Sequence, residues 1–290
     1  MKKFFKLSSA LLVASLMATG FYACNTPNEE VDPISENTTI PSELLQKLEA
    51  ADFNINTVRP TTFLGEAGYL VEGDQFLSND FINNELGINE SASTPEQYRT
   101  SYLVKSLPRT ITVSIDPVLG SSAETAINNA IAMYNELDIT LNFQRVAYST
   151  RRNQRADIVV ESFYELEDAD GFITAGIAAG FPNRRGNPAN SFGINTRYVE
   201  LLNEFFTTSD VEARLAGTMA HEIGHCIGLR HSDYQTRESC GQNINEGWAG
   251  VGAIHIAGTP TGSDFTSLMQ SCGPANVFNA NDKIALETIY

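Results

Sequence analysis

Between residues 106 and 290 the chain switches repeatedly between two hydrophobic periods. Residues 110–116 alternate, with Ile111, Val113 and Ile115 separated by polar positions, and predict a half-buried strand. Residues 122–137 carry Ala126, Ile127, Ala130, Ile131, Met133 and Tyr134 at helical spacing and predict an amphipathic helix. Residues 139–146 and 156–163 are strand-like, and the Gly-rich 170–180 and 191–197 are expected to add two more strands. A run rich in Ala, Leu and Glu over 211–229, which Ser209 or Asp210 could cap, predicts a long second helix. Beyond it the chain is loop-like until a last helix near 281–289. This order predicts an α+β domain over 106–290, with a twisted mixed five-stranded sheet, two main helices and a loop-rich C-terminal subdomain.

Upstream, residues 41–105 hold only short elements: a helix at 42–50, a strand-like 67–72 and a helix around 79–85. Charge and Asn are dense there, and the apolar content is too thin for an independent core of any size. The segment reads as an accessory region leaning on a larger body. No internal repeat or low-complexity tract interrupts the chain.

The 290 residues are 42% hydrophobic and 19% charged, which is ordinary globular composition. The net charge of −16 repels phosphate backbones, so no nucleic-acid partner is expected, and its simplest role is solubility. Lys2, Lys3 and Lys6 precede an apolar run at 10–18 that is too short to span a bilayer and has the shape of a signal-peptide core. The run leads to Phe21-Tyr22-Ala23-Cys24 and then to polar sequence. A small residue before Cys24 resembles a bacterial lipobox, whose cysteine is lipidated and becomes the mature N-terminus. Phe21 and Tyr22 depart from the usual pattern, and secretion with Cys24 incidental is the alternative. The expected layout is a signal peptide at 1–23, a polar tether and pro-like region at 24–105, and the main domain at 106–290. The expected location is the bacterial cell envelope, reached by export and a lipid anchor at Cys24, with the outer-membrane surface as one such place. The protein is expected to be a monomer. Of the other cysteines, Cys240 and Cys272 lie in loop-like sequence and are the favoured disulfide in an oxidising compartment. Cys226 falls in the second helix, where a free thiol behaves as a small hydrophobe.

The candidate chemistry lies at the end of that helix, in His221-Glu222-Ile223-Gly224-His225-Cys226-Ile227-Gly228-Leu229-Arg230-His231. Histidines four apart share one helix face, and neutral imidazole suits Zn²⁺. Glu222 lies beside that face, within reach of a metal-bound water. Gly228 tolerates positive φ, so the chain can turn there and bring His231 to the same ion as a third ligand. A fourth position then stays open for water, as catalytic zinc requires. Three of the four histidines in the chain fall in this one window; the fourth, His255, has no partner in sequence and reads as structural.

The pattern HExxHxxGxxH resembles the signature of the metzincin clan of zinc peptidases. Ser267-Leu268-Met269-Gln270 is similar to that clan's methionine turn, in which Met269 would support the site by packing, and residues 279–290 resemble its C-terminal helix. The string His-Glu-Ile-Gly-His, the lipoprotein-like start and the extra cysteines resemble the bacterial dual-action HEIGH metallopeptidases. The resemblance implies one catalytic zinc ion, hydrolysis of protein or peptide substrates with Glu222 as general base, and an upper edge strand that aligns substrate. Residues 170–180 are the candidate edge, and a plain Gly-rich loop is the alternative. Some clan members place a tyrosine two residues beyond the turn methionine; Ser271 stands there in this chain. Val71-Glu72-Gly73-Asp74 resembles the FxGD segment of astacin propeptides, which makes Asp74 a possible latency ligand to zinc, with a simple hairpin turn as the alternative. Trp248 and nearby glycines could border a specificity pocket. A zinc-holding surface adhesion module without turnover is the main rival, which an intact Glu222 argues against. A hydrolase of non-peptide substrates is a second, which the long motif and methionine turn argue against.

Overall fold

The alternation at 110–116 becomes a strand one in from an edge of a mixed sheet, and both its neighbours pair with it in parallel. The structure, a computed structural model, describes residues 40–51, 53–84, 86, 97–169, 171–247, 251–260 and 264–290. These belong to one compact unit, Thr38–Tyr290. The signal-like start, Cys24, Asp170 and Trp248 lie outside the described residues.

The unit begins with α1 (Ser42–Ala50) and an antiparallel meander of β1 (Arg59–Phe63), β2 (Glu66–Val71) and β3 (Gln75–Ser78), followed by α2 (Asn79–Asn84). After the two-residue β4 (Tyr98–Arg99) come β5 (Arg109–Ile115), α3 (Gly120–Asn135), β6 (Leu141–Arg145), β7 (Ile158–Phe163), β8 (Gly176–Ala178) and β9 (Ser191–Asn195). Then follow α4 (Thr196–Phe205), α5 (Thr208–Ile227), β10 (Ile254–His255) and α6 (Ala280–Ile289). The main sheet has the order β1-β2-β3-β8-β9-β7-β5-β6.

The sheet therefore has eight strands where five were expected. The five, β5 to β9, are present, and the upstream segment adds three. Its β3 joins the outer edge of β8 in parallel, Gln75 opposite Ala178, and the Ala178 amide donates to the Asp74 carbonyl at 2.8 Å. The upstream apolar residues Leu48, Val71, Leu77 and Ile82 cluster with Phe181 and Val251 from the later chain. Two helix boundaries also differ from expectation. Asn195 ends its strand by capping α4, its side chain accepting from the Arg197 amide at 3.0 Å, so a helix starts where a strand was expected to continue. The cap of α5 is Thr207, whose extended backbone and Oγ1, accepting from Asp210, start the helix earlier than Ser209 or Asp210 would.

The main core joins Ile111, Val113 and Ile115 of β5 to Ala126, Ile127, Ala130 and Tyr134 of α3 and to Leu215, Met219 and Ile223 of α5. Each fully buried aliphatic side chain there contributes roughly 1.5–3 kcal/mol. The effect is to clamp α5 between α3 and the strands β8 and β9.

Candidate metal centre

Every residue of α5 from Leu215 to Ile227 is buried. His221 and His225 leave its last two turns on the same side, with their Nε2 atoms 3.0 Å apart. The helix stops at Gly228, φ +111°, where the Gly228 and Leu229 amides both donate to the Gly224 carbonyl. A side chain at Gly228 would be strained and would come within 2.9 Å of Thr100 Oγ1 and Leu103 Cδ2. The reversal brings His231 back, so that donor atoms of Asp74, His221, His225 and His231 all lie within 4.8 Å of one another.

The hydrogen bonds behind these rings decide what they can hold. His221 Nδ1 lies 2.8 Å from the Leu268 carbonyl and His225 Nδ1 lies 2.9 Å from the Leu229 carbonyl. A carbonyl only accepts, so each Nδ1 carries a proton, and in the neutral form of such a ring Nε2 presents a bare lone pair. Burial, and then the neighbouring imidazoles, hold His225 well below the usual histidine range, which keeps it neutral. Two lone pairs facing each other at 3.0 Å repel unless a cation lies between them. On the third side, His231 Nδ1 meets Glu246 at 2.8 and 3.0 Å, and its Nε2 lies 2.9 Å from Asp74 Oδ2. Burial opposes a charge on His231, but Asp74 and Glu246 outweigh it and raise its pKa, so this corner calls for positive charge. Asp74 Oδ2 is also 3.6 Å from His221 Nε2. A tetrahedral zinc site with arms of about 2.0–2.1 Å has edges of about 3.3 Å. The separations of 2.9, 3.0 and 3.6 Å bracket that figure, and three imidazoles with a carboxylate are a donor set that fits zinc.

Glu222 stands beside this group. Its Oε2 is buried without a hydrogen-bond partner, and burial, reinforced by the Asp74 charge and opposed by His231, raises its pKa well above the ordinary carboxylate range. Met269 is fully buried with its Sδ packed on Gly224, between the two helix histidines. The turn holding it is fixed by Asp282 of α6, which accepts from Ser267 Oγ at 2.6 Å and from the Leu268 amide at 2.8 Å.

A sequence model of the dual-action HEIGH metallo-peptidases matches residues 69–290. The chain belongs to this family. It is a zinc metallopeptidase. No curated protein matches it. Among solved structures, two of myroilysin are similar at 13% and 14% identity, covering 67% and 66% of this chain and 98% and 86% of theirs, each with a TM-score of 0.38. High choriolytic enzyme 1, a hatching-enzyme zinc protease of the medaka fish Oryzias latipes, is similar at 11% identity, covering 65% of this chain and 93% of its own, with a TM-score of 0.36.

In this HEIGH peptidase a cavity of about 580 Å³ opens beside the centre, walled by His221, Glu222, Asp74, Gly176, Phe172 and Arg237. Cys240 and Cys272 are joined in a disulfide at the same wall, while Cys226 is buried and free, its thiol 3.7 Å from the Ser191 carbonyl. Ser271 donates through its amide and hydroxyl to Asp233 at 2.9 and 2.8 Å, and its hydroxyl lies 3.1 Å from Glu246. His255 is engaged elsewhere, 3.0 Å from Thr259 Oγ1.

Sequence reasoning missed Glu246, the acceptor behind His231, the ion pairs that join it to Arg230 and Arg237, and the pair of Arg230 with Glu72. Glu246 stands alone in a loop and no spacing marks it. Arg230 gave the only available signal, a cation wedged directly before the third histidine. Burial pushes the Glu72 carboxyl up, and the Arg230 guanidinium 2.7 Å away pulls it back toward the ionised form.

Proposed function

We propose that the protein is a zinc endopeptidase in which His221, His225 and His231 hold the metal and Glu222 is the general base. The observation that carries this reading is the Glu222 carboxylate, buried, with one oxygen free of partners, beside converging imidazoles at the wall of a cavity. A buried carboxylate with a raised pKa is a stronger proton acceptor than an ordinary one. When bound, zinc supplies Lewis acidity to the scissile carbonyl and to the attacking water. Glu222 takes a proton from that water as its oxygen bonds to the carbonyl carbon. The C–N bond then breaks, and Glu222 passes the proton to the departing nitrogen. In Glu222→Gln, bound zinc should persist while casein cleavage falls by roughly 10²–10⁴-fold. A zinc-loaded Asp74→Ala protein that leaves casein intact would move the assignment to a zinc-holding binding module.

We propose further that residues 72–78 keep this form latent. Two features support it: Asp74 Oδ2 stands at the fourth corner beside His231, and β3 pairs with the strand edge of β8 next to Glu222. An extended substrate would use that same edge. Asp74→Ala in the full chain should raise cleavage, and unchanged activity would remove the idea. Export and lipid attachment at Cys24 belong to the same proposal on the strength of residues 1–24 alone. Labelled fatty acid should enter the wild type and not Cys24→Ala.

A further inference from the structure

Behind His231 two arginines and two glutamates form a buried cluster, and one of the glutamates comes from the latent turn. Arg230 is fully buried. One of its terminal nitrogens donates to the Gly247 and Gly252 carbonyls at 3.1 and 3.2 Å. The other meets Glu72 Oε1 at 2.7 Å and stands 3.7 Å from Glu246 Oε2. Arg237 pairs with Glu246 and also donates to the Glu72 carbonyl oxygen. Glu246 is already engaged by His231 Nδ1, Ser271 and Arg237. The short ionic partner of Arg230 is therefore Glu72.

Glu72 sits at φ +56°, a conformation that glycine or asparagine adopts more easily, so the backbone gives no reason for a glutamate there. Its side chain does. A guanidinium stays charged at any physiological pH, and a buried one stripped of its partner is strongly unfavourable. Withdrawal of the turn thus leaves two buried cations facing one anion, in a pocket whose former occupant lies two residues from Asp74 at the metal corner.

We propose that Arg230 and Arg237 form an acid-selective substrate subsite, filled by a glutamate or aspartate side chain within about two residues of the scissile bond. The inference rests on the endopeptidase reading above and on Glu72 being the subsite's resident in the latent form. An uncharged side chain in the pocket leaves the guanidinium unpaired, and such unpaired polar groups are a strong source of discrimination.

The test uses the zinc-loaded full chain carrying Glu72→Gln and Asp74→Ala, which removes both side-chain anchors of the turn. Peptide pairs identical except for Glu or Gln at each position flanking the scissile bond are compared by kcat/KM. The same pairs are compared by fluorescence anisotropy on that protein with Glu222→Gln added. A preference for Glu of about tenfold or more at one position is expected in both measurements. It should fall toward unity in Arg230→Met, or in Arg237→Gln should the first variant lose zinc. Preferential binding of the Glu peptide without cleavage of any peptide would sink the endopeptidase reading and leave the subsite standing. Equal cleavage, equal binding, or a Glu preference undiminished in the arginine variant would overturn the subsite.

Discussion

Gly176 of β8 and Glu222 of α5 are so close that a Cβ on the glycine would fall 2.5 Å from Glu222 Oε1. The bare backbone there lets the strand edge and the carboxylate share one wall of the cavity. Gly176→Ala should therefore push the carboxylate aside without touching an imidazole. A displacement of about 1 Å in a reacting group can lower rate by about 10²-fold. We expect kcat/KM to fall by roughly 10–100-fold at unchanged zinc content. Undiminished turnover would mean that Glu222 does not work from the position seen.

Glu246 orients His231 from behind, with Nδ1 at 2.8 Å from one carboxylate oxygen. Partners of this kind fix ring orientation, and their loss typically costs about 10–100-fold in metal affinity. Glu246→Gln keeps the shape and a hydrogen-bond acceptor but removes the charge that faces Arg230 and Arg237. Competition with a chromophoric chelator should show zinc affinity weakened by about 10–100-fold, together with a lower Tm. Wild-type affinity would assign Glu246 to the ion-pair cluster alone.

These two residues show what sequence could and could not reveal. The meeting of His221, His225 and His231 was legible because it depends on helix pitch and one left-handed residue, both local properties. The strands β5, β6, β7 and β9 and the helices α3 and α5 were legible for the same reason, each carrying its own hydrophobic period. The strands β1 and β3 were not, since a five-residue and a four-residue strand in polar surroundings carry little alternation. They become strands because a neighbouring edge pairs with them. Within α4 only Leu202 is buried, so its apolar period was too weak to register. Glu72 and Arg230 are 158 positions apart, and their ion pair exists only in the folded chain.

Gly228→Ala tests the turn that delivers His231. The glycine's φ of +111° and the 2.9 Å approaches to Thr100 and Leu103 leave no room for a methyl group without a shift of backbone. A loss of roughly 1–3 kcal/mol is expected from the strain. The His231 loop should move with it, so zinc per protein should drop along with Tm. A variant of normal Tm and full zinc content would show that the reversal does not depend on glycine.

Removal of the ion tests the electrostatics most directly. Without a cation, the Nε2 lone pairs of His221 and His225 oppose each other at 3.0 Å inside a buried site, while Glu246 and Asp74 bracket His231 with negative charge. The folded chain then carries the lone-pair repulsion and a corner that calls for positive charge, and an ion that binds only the folded state answers both. At a free zinc concentration of about 100 times Kd this linkage is worth about 2.7 kcal/mol. Chelation should accordingly lower Tm, and added zinc should restore it in proportion to the logarithm of its concentration. Calcium and magnesium prefer oxygen ligands and should not substitute. A Tm indifferent to zinc would mean that the three rings do not share an ion.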